Sequence, residues 1–210
     1  MYKKYLILLI FFTKISFSPL SLQAQLPTNL PALNGPQKQT LLLIARESVN
    51  AALEMRTARE ATVEPRLMAA QALVVSLYVD GALRGRAWRL RDPQPLYLAA
   101  RDLTFQAISN PKVSPEPLRP DELMRAELSI AVLNNYVRVH DDRDVPEKSA
   151  VIIYSGFTEW LALPFDVASN KAADLLNYAC EQAGLRPHIW LLPETAIFIA
   201  DVEESRESQF

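Results

Sequence analysis

An Asp-Gly pair set between two strand-like runs, Asp80-Gly81, narrows the folds open to this chain more than any other feature. The central positions of a tight hairpin turn need positive φ, which these residue types tolerate, so the run Leu73 to Val79 is predicted to fold back as an antiparallel ribbon. On the returning strand a period of two sends Leu83, Gly85 and Ala87 to one face and Arg84, Arg86 and Trp88 to the other. The first set is small or apolar and is expected to meet the core. The second sets two guanidinium groups roughly 7 Å apart beside an indole. Such a pair can grip a carboxylate or phosphate through bidentate hydrogen bonds, with Trp88 as a flat wall. The competing expectation is a solvent-facing strand neutralised by acidic neighbours such as Glu122 or Glu127.

With 210 residues and 50% apolar content, the chain can build one domain with a real core, and a second would not fit comfortably. Its 22 basic and 24 acidic residues and a pI near 5.8 argue against a general nucleic-acid-binding surface, so any anion site is local. Lys3 and Lys4 precede the apolar run Tyr5 to Phe12, and Leu22-Gln23-Ala24 ahead of Gln25 reads as the end of an export signal spanning residues 1–24. Lys14 stops the apolar run short of the roughly 20 residues a spanning helix needs. No stable membrane anchor is therefore expected, and the product is read as periplasmic or secreted. Cys180 stands alone, which rules out an intramolecular disulfide. Its spacing with Leu175, Leu176, Ala179 and Ala183 suggests a buried small hydrophobe on a helix, the alternative being a nucleophile or an intermolecular bridge.

Pro27, Pro31 and Pro36 mark residues 25–36 as an extended linker ahead of a domain over residues 37–202. Gln37 to Met55 is predicted helical, and Thr57 to Met68 irregular. Pro95 opens a second helix that runs to Ile108, and four prolines make Asn110 to Pro120 a loop. Leu128 to Val139 reads as a strand, and Ala150 to Tyr154 with Thr158 to Leu163 as a hairpin about Ser155-Gly156. Asn170 to Gly184 reads as a glycine-ended helix and Ile197 to Val202 as a last strand. Residues 203–210 are expected to fray. Hairpins impose antiparallel pairing, so the expected class is α+β.

Leu83-Arg84-Gly85 resembles the opening of the signature Leu-Arg-Gly-Cys-Ile-Gly of the AMMECR-one-like domain family, with Arg86, Ala87 and Trp88 departing from it. Leu43-Ile44-Ala45-Arg46-Glu47 is similar to that family's opening helix, and Leu73 to Leu77 to its phenylalanine-valine-threonine-leucine strand. Pro95-Leu96 with Ala99-Ala100, Asn110-Pro111, Asp121-Glu122-Leu123 and Leu128 to Leu133 follow in the family's order. Leu163-Pro164-Phe165-Asp166-Val167 resembles its leucine-proline-glutamine-valine turn, and Leu176, Cys180, Ala183-Gly184-Leu185 and Trp190 its C-terminal helix and the tryptophan beyond.

The resemblance implies an antiparallel sheet with flanking helices and a smaller lobe beside the signature. It also implies a neighbourhood of Memo-type proteins, which resemble extradiol dioxygenases, and of radical S-adenosylmethionine enzymes. Export fits poorly with a radical-enzyme partner that draws on cytosolic cofactor, and with Arg86 in the thiol's position any chemistry of that thiol is closed to this chain. The expected function is therefore a noncatalytic exported domain holding an anionic ligand or a protein partner through Arg84, Gly85, Arg86 and Trp88. The alternative is an accessory or catalytic component of an oxidative pathway with a Memo-like or radical partner. No catalytic residue, metal ligand or cofactor is assigned. His140-Asp141-Asp142-Arg143-Asp144 carries donors for a divalent ion but lacks the glycine and distal glutamate of an EF-hand, and reads as a solvated loop. His188 has the chemistry of a general base, but without a nucleophile turn it is read as a capping or packing residue.

Overall fold

The structure is a computed structural model that describes residues 30–90, 94–110, 113–114, 116–156, 158–169 and 171–210. The expected export signal, residues 25–29 of the linker and Arg91 lie outside the described residues. Helix α1, Gly35–Leu53, opens on an Asn34 cap: its Oδ1 accepts from the Gln37 N–H at 2.9 Å while Gln37 Oε1 accepts from the Asn34 N–H at 3.1 Å. Strands β1, Ala72–Val79, and β2, Ala82–Arg89, form the ribbon, with Asp80 and Gly81 at φ +52° and +80°. Helices α2, Leu96–Ile108, and α3, Pro120–Arg125, follow; then β3, Glu127–Val139, the hairpin β4, Ser149–Ser155, and β5, Thr158–Ala162, helix α4, Ala172–Gln182, and β6, Thr195–Arg206.

All six strands join one antiparallel sheet in the order β2-β1-β3-β6-β4-β5, and the fold is α+β as expected. The sheet is curled, and both faces are buried. On the outer face, Leu73, Val75, Leu77, Leu128, Ile130 and Val132 pack under α1 and α2, while Val151, Ile153, Trp160 and Ala162 pack under α4. The inner face collects Val74, Ala131, Leu133, Ile152, Leu161 and Phe198 from five strands into a second core layer. A bulge in β3 between Asn134 and Val137, with Asn135 at φ +50°, resets the alternation so that one strand serves both helical layers.

At both ends of the domain, order extends past the sequence reading. Order reaches back into the expected linker: Leu33 is buried and its N–H donates to Glu203, and Arg66 holds the Pro31 carbonyl. Nor does the chain fray after Val202, because β6 continues through Arg206 and pairs Glu203 to Arg206 with Val132 to Ser129. The charged residues that suggested a loose tail are neutralised in place. Glu203 binds Lys38, Glu204 binds Ser129 and Arg206, and Glu207 binds Arg46.

Candidate functional site

The arginine strand carries a β-bulge. Leu77 faces Gly85 and Tyr78 faces Leu83, which leaves Arg84 as the extra residue and parts its course from that of Arg86. Arg84 turns to α3 and the loop before it, where its Nε and Nη2 donate to Glu122 at 3.1 and 3.0 Å and Nη1 donates to the Ser114 hydroxyl at 2.7 Å. Glu122 also accepts from the Arg119 N–H at 2.9 Å, and that bond followed by those from Arg84 holds its carboxyl below the ordinary glutamate range. Gly85 stands against the end of α2, where an added Cβ would lie 2.3 Å from the Ala107 carbonyl oxygen. Only glycine lets the strand approach that closely.

Arg86 takes the inward path and is 3% exposed. Its Nη1 and Nη2 make a bidentate pair with Asp166 at 2.6 and 2.7 Å, Nε donates to the Ser76 hydroxyl at 2.9 Å, and Nη2 also reaches the Tyr78 hydroxyl at 3.3 Å. Burial works against this charge, but the Asp166 carboxylate outweighs it and the guanidinium pKa lies above its ordinary value. Trp88 reaches across to β5, donating from Nε1 to Glu159 at 3.2 Å and meeting the Trp160 ring edge-on with centroids 5.1 Å apart. The outer strands β2 and β5 are thus bridged by side chains, with no backbone ladder between them.

The expectation that Arg84, Arg86 and Trp88 share an open face is corrected by this geometry. The bulge separates the arginines, and the face opposite the outer core is itself the lined interior of a curled sheet. The signal was present in β1, whose eight residues Ala72–Val79 are all buried and lack the alternation of a strand with one wet face. Glu122, one of the two acidic neighbours foreseen, does pair with Arg84; the partner of Arg86 is Asp166, which sequence reading left unassigned.

A polar row crosses the inner face at the level of Arg86. Arg86 faces Ser76, Ser76 faces Ser129, and Ser129 faces Arg206. The Arg206 guanidinium lies between the rings of Tyr78 and Phe165, 5.1 Å from each centroid, and its Nε donates to Glu204 at 2.7 Å. Burial raises the phenol pKa of both Tyr78 and Tyr178, which lie close enough to the Arg86–Asp166 pair to feel its charges. Phe165 and Asp166 belong to one turn, residues 163–167, so a single loop covers both arginines.

The other singled-out residues lie apart from this row. Cys180 is fully buried on the inner side of α4, and burial raises its thiol pKa. His188 is exposed at φ +64° with its N–H donating to Asn177, which also receives the Trp190 indole N–H. In the 140–144 loop, Asp141 is taken up by Arg143, and among the described residues no group of three or more His, Cys, Asp or Glu is placed to hold a metal ion. Among the same residues no helix is long and apolar enough to cross a membrane.

The architecture defines an α+β domain in which a curled antiparallel sheet carries helices on its outer face and buries a signature arginine strand at its seam. The AMMECR1 family model matches residues 42–204, and the chain belongs to that family. Among solved structures it is similar to the uncharacterized protein PH0010 from Pyrococcus horikoshii, with a TM-score of 0.72 at 20% identity over 83% of this chain and 93% of that one. At that identity the likeness shows the fold. No curated protein matches the chain.

Proposed function

We propose that this chain is a noncatalytic, exported member of the AMMECR1 family that binds an acidic ligand, free or presented by a partner protein, and returns it unchanged. The observation that carries the noncatalytic reading is Arg86. It stands where the resembled signature has its thiol, and each of its nitrogens donates to Asp166, Ser76 or Tyr78. A guanidinium so engaged cannot act as a nucleophile or exchange protons near neutral pH. Recognition of an acidic group is supported by Arg84, whose half-exposed fork sits at the mouth of the bulge beside the exposed Arg119. The basic start and the apolar run before Ala24 support export.

The test is nondenaturing mass spectrometry of protein recovered from the extracytoplasmic fraction. The chain should begin at or near Gln25 and carry an acidic species, which keeps its mass when incubated with fresh protein. Appearance of a converted product overturns the noncatalytic reading in favour of a part in an oxidative pathway, and recovery of the uncleaved chain overturns export.

A further inference from the structure

The 163–167 turn touches the polar row through two side chains, and each covers an arginine: Asp166 on Arg86 and Phe165 on Arg206. The turn is closed by its own bonds, Leu163 N–H to Asp166 Oδ2 at 2.8 Å and Asp166 N–H to the Leu163 carbonyl at 2.9 Å. Beneath it lie a guanidinium already stripped of water, hydroxyls from Ser76 and Tyr78, and a second guanidinium walled by two rings. The Arg206 side chain is 31% exposed, and its terminal nitrogens donate to no other described residue. We propose that this is a carboxylate-binding site occupied by the protein's own Asp166, and that the 163–167 turn is a strap an external carboxylate displaces. The inference rests on the binding reading above, moves the contact from Arg84 to Arg86 and Arg206, and names the ligand class. The desolvation of Arg86 is met in folding, so exchanging one carboxylate for another costs little beyond opening the strap. Charge also selects the ligand. Glu204 and Glu127, the latter with a buried and unpartnered Oε1, remain beside Arg206 when Asp166 leaves, so a single negative charge fits where a dianion is repelled.

Amide hydrogen exchange at Leu163 in the full chain reads the strap directly. At constant ionic strength, acetate in place of chloride should speed exchange at Leu163 in the wild type, by roughly fivefold at four times the acetate Kd. Phosphate, held above its second pKa so that it is a dianion, should not. In Asp166→Ala the amide should exchange fast in either salt, while acetate raises the melting temperature more than in the wild type. If Asp166→Ala does not fold, Phe165→Ala loosens the strap with the carboxylate in place, and its Leu163 exchange should depend on acetate more steeply than the wild type's. Exchange equal in acetate and chloride makes the pair a fixed structural bridge and overturns the strap, and equal release by phosphate overturns the carboxylate assignment. Either result leaves the binding reading to its own mass measurement.

Discussion

Arg84 and Arg86 are two residues apart, yet their environments assign them opposite weights. Asp166 is as buried as its partner, so Arg86→Ala strands a carboxylate without water or cation and should cost about 3 to 5 kcal/mol. Arg84 is 29% exposed, and its loss leaves Glu122 still bonded to the Arg119 N–H, so Arg84→Ala should cost about 1 kcal/mol. Urea denaturation of both variants checks the order, and equal losses would show that burial does not set it. Arg86→Ala with Asp166→Ala should cost less than the two single losses together, because the second change removes the stranded charge. The presence of an arginine pair was legible in the sequence, and so was Glu122 as a partner. Asp166 was not, because 80 residues separate it from Arg86 and only the curl of the sheet brings β5 back to β2.

Among the elements, β2 shows how a single backbone position sets a strand's place. Gly85→Ala puts a methyl group 2.3 Å from the Ala107 carbonyl, and neither the strand nor the end of α2 can yield without losing hydrogen bonds. The variant should lose about 2 kcal/mol or more and part β2 from α2, measured as a lowered denaturation midpoint together with loss of exchange protection at the end of α2. A variant as stable as wild type would mean that the approach relaxes freely. Most elements were legible because each carries its own local signal, such as Asp80-Gly81 for the ribbon and Gly184 at φ +71° for the end of α4. The bulges at Arg84 and Asn135 leave no such mark, since they answer to pairing partners far along the chain.

At the scale of the whole molecule, the C-terminal segment from Glu203 to Glu207 holds the start of the described fold in place. Glu203 holds the Leu33 N–H and Lys38, and Glu207 holds Arg46 and the Leu128 N–H. Removal of residues 203–210 should therefore destabilise the domain by about 3 kcal/mol or more, at roughly 1 kcal/mol per net hydrogen bond lost. The melting temperature of the truncated chain checks this, and an unchanged value would show the segment to be peripheral. The side-chain seam has its own consequence for life at high concentration. An open six-stranded sheet presents two outer strands to any passing chain, and each is a template on which aggregation can start. Here β2 and β5 are turned toward each other and locked by Arg86–Asp166 and Trp88–Glu159, and Asn110 Nδ2 occupies the Arg86 carbonyl at 2.6 Å. Each edge guards the other, so an incoming strand meets paired side chains where an open sheet would offer a free edge.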